Sequence, residues 1–151
     1  DIQEGHGEET WVDGAKYNGT YMDGMKHGHG IYTWANGDTY EGNWENNKIS
    51  GYGEQKWVVA KKEYKGYWKD NNMHGKGLQT WADGRIYEGD FQNDKKHGFA
   101  TYSYPDGRQY IGEWKNNKQD GTGTYRANKE SKPKKGIWKD GKKVKWVDET
   151  D

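Results

Sequence analysis

"DTYEGNWENNKISGYGEQKW" occupies residues 38–57. It sets Tyr40, Gly42 and Trp44 two residues apart, adds Gly51 and Gly53, and closes on Trp57. The same order returns at Tyr87, Gly89, Phe91, Gly98 and Tyr104. Alternation with period two places Tyr40, Gly42 and Trp44 on one face of a strand. No window carries the 3.6-residue period of a helix.

Aligned on Tyr-x-Gly, the chain shows repeats starting at 17, 40, 64, 87 and 110. Position 1 is always Tyr: Tyr17, Tyr40, Tyr64, Tyr87 and Tyr110. Position 3 is always Gly, and position 5 is Tyr21, Trp44, Trp68, Phe91 or Trp114. Position 12 is Gly in all five, and position 18 is Trp34, Trp57, Trp81 or Tyr104 before lapsing to Ala127. The boundaries read as a half repeat at 5–16, repeats at 17–39, 40–63, 64–86, 87–109 and 110–133, and a degenerate cap at 134–151, all in a single domain. Opening in mid-repeat at Gly5-His6-Gly7, the chain reads as a piece of a longer protein.

"VDGAKY", "ANGDTY", "ADGRIY" and "PDGRQY" each put Asn-Gly or Asp-Gly between two strand-like runs. Gly, and next best Asn or Asp, tolerates the positive φ of a hairpin turn. The predicted hairpins pair 5–12 with 15–22, 28–35 with 38–45, 51–58 with 61–68, 75–82 with 85–92, 98–104 with 108–115, and 121–126 with 134–140. Two loops break the rule: "VVAKKE" lacks the turn signature, and "RANKESKPKK" is long and basic. The expected fold is all-β: an elongated single-layer antiparallel sheet of about six stacked hairpins, each burying its aromatics against the next. A glycine gap lets a neighbouring aromatic lie flat over the backbone. Register is not fixed at this level, because one residue in a turn exchanges the faces.

Composition agrees with one thin layer. Of 151 residues, 29% are hydrophobic and 32% charged, with 9 Trp and 12 Tyr but only 2 Phe. Mean hydropathy is −1.50. Tyr and Trp suit positions packed on one side and wet on the other. Net charge is +0, which provides no strong field for nucleic acid. The charge is uneven, with an acidic head (Asp1, Glu4, Glu8, Glu9, Asp13) and a basic final stretch that closes on "DETD". Cysteine is absent, so no disulfide or thiolate metal site forms, consistent with a reducing, cytoplasmic setting. No apolar run reaches the length of a membrane span.

"YEGNW", "GYGEQKW" and "YEGDFQNDKKHGFATYSYPDG" closely resemble the MORN (membrane occupation and recognition nexus) repeat. The resemblance runs from residue 5 to about residue 141, with departures at Ala100, at Lys134 and in the turn at 60–63. It implies a single-layer sheet of hairpins and a binding module rather than an enzyme, with no cofactor. It also implies a protein partner, a helix or extended segment held on the aromatic face, in a ciliary axoneme or other cytoskeletal complex. The spacers "ENNK", "KDNN" and "KNNK" resemble those of ciliate and other protist repeat proteins.

The aromatic columns at positions 1, 5 and 18 are the expected partner-binding residues. The second reading is a phosphoinositide or membrane-surface module using Lys132, Lys134, Lys135, Lys142 and Lys143. His27, His74 and His97 share position 11, but equivalent positions lie two strands, about 10 Å, apart, too far to hold one metal ion. Glu41, Glu88 and Glu113 recur with the repeat and read as cross-strand partners of Lys and Arg rather than as a catalytic set.

Overall fold

A computed structural model describes residues 2–147. Asp1, from the acidic head, and the whole acidic tail at 148–151 lie outside the described residues.

The chain runs as a meander. The first strands are β1 (Gly5–Thr10), β2 (Lys16–Met22), β3 (Met25–Thr33) and β4 (Thr39–Glu45). Then come β5 (Lys48–Trp57), β6 (Lys62–Lys69), β7 (Asn72–Trp81), β8 (Ile86–Gln92) and β9 (Lys95–Ser103). The last are β10 (Gln109–Lys115), β11 (Lys118–Arg126), β12 (Lys134–Lys139) and β13 (Lys142–Trp146). All 13 belong to one antiparallel sheet whose spatial order is the chain order. Each expected hairpin is present; β13 is one strand more than the six hairpins supply. Twelve steps between 13 strands make a ribbon of about 58 Å.

Two kinds of turn alternate. The Asn/Asp-Gly motifs form three-residue loops, as where the Trp34 amide donates to Asp38 O (2.8 Å) and the Gly37 amide to Trp34 O (3.0 Å). Gly37 takes φ 96°, the left-handed residue that such a loop needs at its third place. The Asn-rich stretches, read above only as spacers, are in fact the tightest turns. Asn46 and Asn47 have φ 49° and 69°, and Asp70-Asn71, Asn93-Asp94 and Asn116-Asn117 repeat the arrangement. Positive φ at both central residues defines the two-residue turn that matches strand twist. Glycine leads there, but Asn earns its place laterally: the Asn71 amide donates to Ile49 O (2.9 Å), and Asn71 Oδ1 accepts from the Ile49 amide (2.8 Å). Asn47 with Lys26, Asp94 with Met73 and Asn117 with Lys96 repeat this clasp, so each turn is tied to the strand one repeat back. Asn71→Gly keeps the φ and removes the acceptor. Urea denaturation should show a loss of about 1 kcal/mol, and a gain would mean that backbone freedom outweighs the clasp.

The register settles the faces. Gly42 stands opposite Gly53, but Trp44 stands opposite Ile49, so β5 bulges around Gly51. The same shift recurs in β2/β3, β6/β7, β8/β9 and β10/β11. Facing Gly pairs open a slot, and the position-1 tyrosine fills it. A Cβ on Gly53 would overlap the Tyr40 ring, and one on Gly42 would meet the Gly53 backbone. The five tyrosines are 0–1% exposed. Each hydroxyl donates to the carbonyl three residues on: Tyr17 to Thr20 (3.0 Å), Tyr40 to Asn43 (2.9 Å), Tyr64 to Tyr67 (2.8 Å), Tyr87 to Asp90 (2.6 Å) and Tyr110 to Glu113 (2.9 Å). A large ring is thereby buried with its polar end satisfied.

Position-5 rings stand edge-on between successive tyrosines. Trp44 meets Tyr17 and Tyr40 at 5.4 Å each, and Trp68 meets Tyr40 (5.6 Å) and Tyr64 (5.1 Å). Phe91, Trp114 and Trp138 continue the chain of rings. The indoles of Trp44 and Trp68 donate to Gly30 O (3.2 Å) and Gly53 O (3.1 Å). Trp114 has no such partner: its Nε1 is buried and unpaired. The residue at the matching place is Ala100, whose methyl lies against Gly89 and fills part of the slot. This is the local cost of the departure from Gly seen in the sequence.

Candidate functional site

The fourteen aromatics expected to meet a partner share one face, but they play two roles. Tyr17, Tyr40, Tyr64 and Tyr110 are sealed in Gly–Gly slots, and Tyr87 is equally buried in the repeat where Ala100 faces Gly89. Tyr21, Trp44, Trp68, Phe91 and Trp114 are only 4–8% exposed. These ten make up most of the core cluster, which Ile49, Met73, Ala100, Tyr102 and Trp138 complete. They are not free to present themselves to a partner. Trp34, Trp57, Trp81 and Tyr104 stay half-buried and form an outer row along one margin of the face, packed against the core.

Cations cap this row, a feature the sequence reading missed. Lys62 Nζ lies 4.9 Å from the Trp57 ring centre, the Arg85 guanidinium 4.7 Å from Trp81, and the Arg108 guanidinium 4.2 Å from Tyr104. Lys26 Nζ sits amid Trp11 (5.1 Å), Tyr17 (5.4 Å), Tyr32 (5.8 Å) and Trp44 (5.8 Å). Lys96 lies over Trp81 (5.4 Å) and Tyr87 (5.5 Å). Such contacts stabilise a cation by about 0.5–2 kcal/mol, more when desolvated. Burial holds the Lys26 ammonium below the usual lysine value, partly offset by Glu9. Burial does the same at Lys96, reinforced by Lys62 and Arg85. The signal for two of the caps was present in "ADGR" and "PDGR", where Arg follows the turn glycine.

A cleft of about 360 Å³ opens at the margin between Trp57 and Trp81, rimmed by Lys61, Lys62, Glu63 and Thr80. It lies at the "VVAKKE" loop, where the repeat loses its turn signature. The opposite face carries a shallow trough of about 530 Å³ lined by Tyr52, Tyr67, Leu78 and Phe99. Tyr52, Tyr67 and Phe99 are 45%, 52% and 56% exposed.

The basic end does not form one patch. Lys132, Lys134, Lys135, Lys142 and Lys143 are all surface residues. Lys143 pairs opposite Trp138 and Lys142 opposite Lys139, so neighbours on β13 point to different faces. Lys134 and Lys143 lie over Trp146, at 5.7 and 4.4 Å. Among the described residues, no three His, Cys, Asp or Glu side chains converge on a point. His29 pairs with Glu41 at 3.6 Å, and Lys76 with Asp90 at 2.6 Å directly across β7 and β8. Glu113 accepts from the Thr122 amide at 2.6 Å. Of the three repeated acids, Glu41 therefore meets a histidine and Glu113 a backbone amide across the strand, where Lys or Arg was expected.

A one-layer ribbon of hairpins, cored by Tyr, Gly and Trp and open on both faces, is a repeat-built all-β protein. The model of the MORN repeat matches residues 1–16, 17–39, 40–58, 64–84, 87–107 and 110–130, and the chain belongs to the MORN repeat family. Repeats of this family are non-enzymatic modules for protein or membrane interaction. A comparison with curated proteins gives no match.

Proposed function

We propose that this chain is a non-catalytic scaffold that holds a helix or extended segment of a larger assembly along the outer aromatic row. The observation that carries the reading is the Trp57–Trp81 cleft: two half-exposed indoles beside a rim of mixed charge. Half-buried aromatics ringed by polar groups are the usual anchors of protein interfaces. A cytoplasmic setting in a ciliary or other cytoskeletal complex is part of the proposal and rests on the resemblance noted in the sequence.

The test replaces Trp81, and separately Tyr67 on the opposite face, by a photo-crosslinking amino acid and irradiates each in native lysate. A discrete adduct from position 81 but not 67 is expected. Trp57→Ala with Trp81→Ala should weaken capture of that partner by about thirtyfold or more, and moderate salt should change it little. Adducts from position 67 alone would move the site to the Tyr52–Phe99 trough. Flotation on phosphoinositide vesicles, lost when Lys132, Lys134, Lys135, Lys142 and Lys143 are reversed, would favour the membrane reading instead.

A further inference from the structure

Three of the four outer-row aromatics, and Trp11 before them, are capped by the protein's own cations. Lys26 covers Trp11, Lys62 covers Trp57, Arg85 covers Trp81 and Arg108 covers Tyr104. Among the described residues, no cation lies over Trp34. The cause is readable at the turn. In "ADGR" and "PDGR" the aspartate accepts from the amide of the following arginine and binds its Nε at 2.8 Å, for both Asp83–Arg85 and Asp106–Arg108. That pair holds the guanidinium over the aromatic residue opposite. Trp81 and Arg85 are joined across the loop by a backbone bond, as are Tyr104 and Arg108, and as are Trp34 and Asp38. Asp38 therefore stands where the capping arginine stands in the other two turns, and Asn36 stands where their aspartate stands.

The exchange inverts the charge. The Asn36 oxygen accepts from the Asp38 amide (3.0 Å), and its Nδ2 donates to Asp38 Oδ2 (3.2 Å). Asp38 Oδ1 accepts from the Val58 amide (2.8 Å). The carboxylate is thus fixed in place, and its oxygens keep unused lone pairs. An indole without a cap, beside a fixed carboxylate, matches a basic side chain in both quadrupole and charge.

We propose that Trp34 and Asp38 form a subsite for a lysine or arginine side chain of the bound polypeptide, which takes the place that Arg85 and Arg108 hold in their own repeats. This deepens, and rests on, the reading of the outer row as the contact surface. It commits that surface to a partner with a basic residue at the Trp34 end of the row.

The experiment follows the tryptophan indole N–H resonances of isotope-labelled protein during titration with N-acetyl-arginine methylamide. N-acetyl-citrulline methylamide, of the same shape but uncharged, is the comparison. The Trp34 resonance should shift saturably with the arginine amide and not with the citrulline amide, while Trp57 and Trp81, already capped, shift little. Asp38→Arg should abolish the Trp34 response by supplying an internal cap. Asp38→Asn, which keeps an oxygen for the Val58 amide, should weaken it by about threefold. A silent Trp34, an equal response to citrulline, or a response retained in both variants overturns the inference. The two readings fail separately. If partner capture depends on Trp57 and Trp81 while Trp34 is silent, only the subsite is wrong. If Trp34 responds but no partner crosslinks to position 81, the subsite stands and the wider docking surface does not.

Discussion

Tyr64→Ala is expected to cost about 3–5 kcal/mol, a large share of the stability of an ordinary domain. Tyr64 sits at the middle of the ribbon, fully buried over Gly66 and Gly77, and it joins Trp68 to Phe91 through edge contacts of 5.1 Å each. Its loss leaves an open slot and strips Trp68 and Phe91 of one of their two ring neighbours each. Each repeat contacts only its neighbours, so a central defect uncouples the two halves. Urea unfolding followed by circular dichroism and tryptophan fluorescence should change from one transition to two. Tyr64→Phe keeps the ring and loses only the bond to the Tyr67 carbonyl, so it should cost about 1 kcal/mol in a single transition. Equal losses for the two variants would mean that the hydroxyl, not the ring, holds the slot together.

Raising the pH should unfold the whole ribbon in one cooperative step between pH 10 and 12. Burial pushes Tyr17 and Tyr110 up to about 12 from the ordinary 10.0, and pushes Tyr40, Tyr64 and Tyr87 further in the same direction. A group whose pKa is raised by folding stabilises the native state while it keeps its proton. That contribution is whole below the unfolded value near 10 and is lost as the pH climbs toward the folded value. Lys26 and Lys96 act in the opposite sense: burial holds them low, so they favour folding as the pH approaches 10.5. Burial raises Tyr21, Tyr32 and Tyr104 as well, and eight tyrosines against two lysines decide the direction. Tyrosinate absorbance and loss of the β signal should rise together. Gradual ionisation from pH 10 with an unchanged β signal would show that the phenols reach solvent without unfolding.

The repeated column of Tyr, Gly and aromatic residues, with its steps of 23 or 24, was enough to define strands, hairpin partners and a one-layer stack. A period of two cannot describe anything else when a turn signal ends each run. The same columns leave the burial of each aromatic open. Position 1 and position 18 are both aromatic on the same face, yet Tyr64 is sealed and Trp81 is half-exposed. Sequence alone cannot separate them, because burial depends on which glycines face each other across β6 and β7, and that register follows from the bulge.

Local chemistry was legible wherever a residue acts through its own turn. Gly37 is such a case, since its positive φ is a property of one residue. Asn71 is the opposite case. Its sequence neighbours explain its φ, but its value lies in two bonds to Ile49, 22 residues away. Lys26, set among four rings that come from three strands and one loop, likewise required the folded sheet. The sequence by itself therefore determined the repeat, the hairpins and the family, because these rest on local periodicity and turn sterics. The tertiary structure alone decided which aromatics are core, which cations cap the outer row and why Trp34 is left uncapped, because those facts depend on neighbours brought together only when successive hairpins stack.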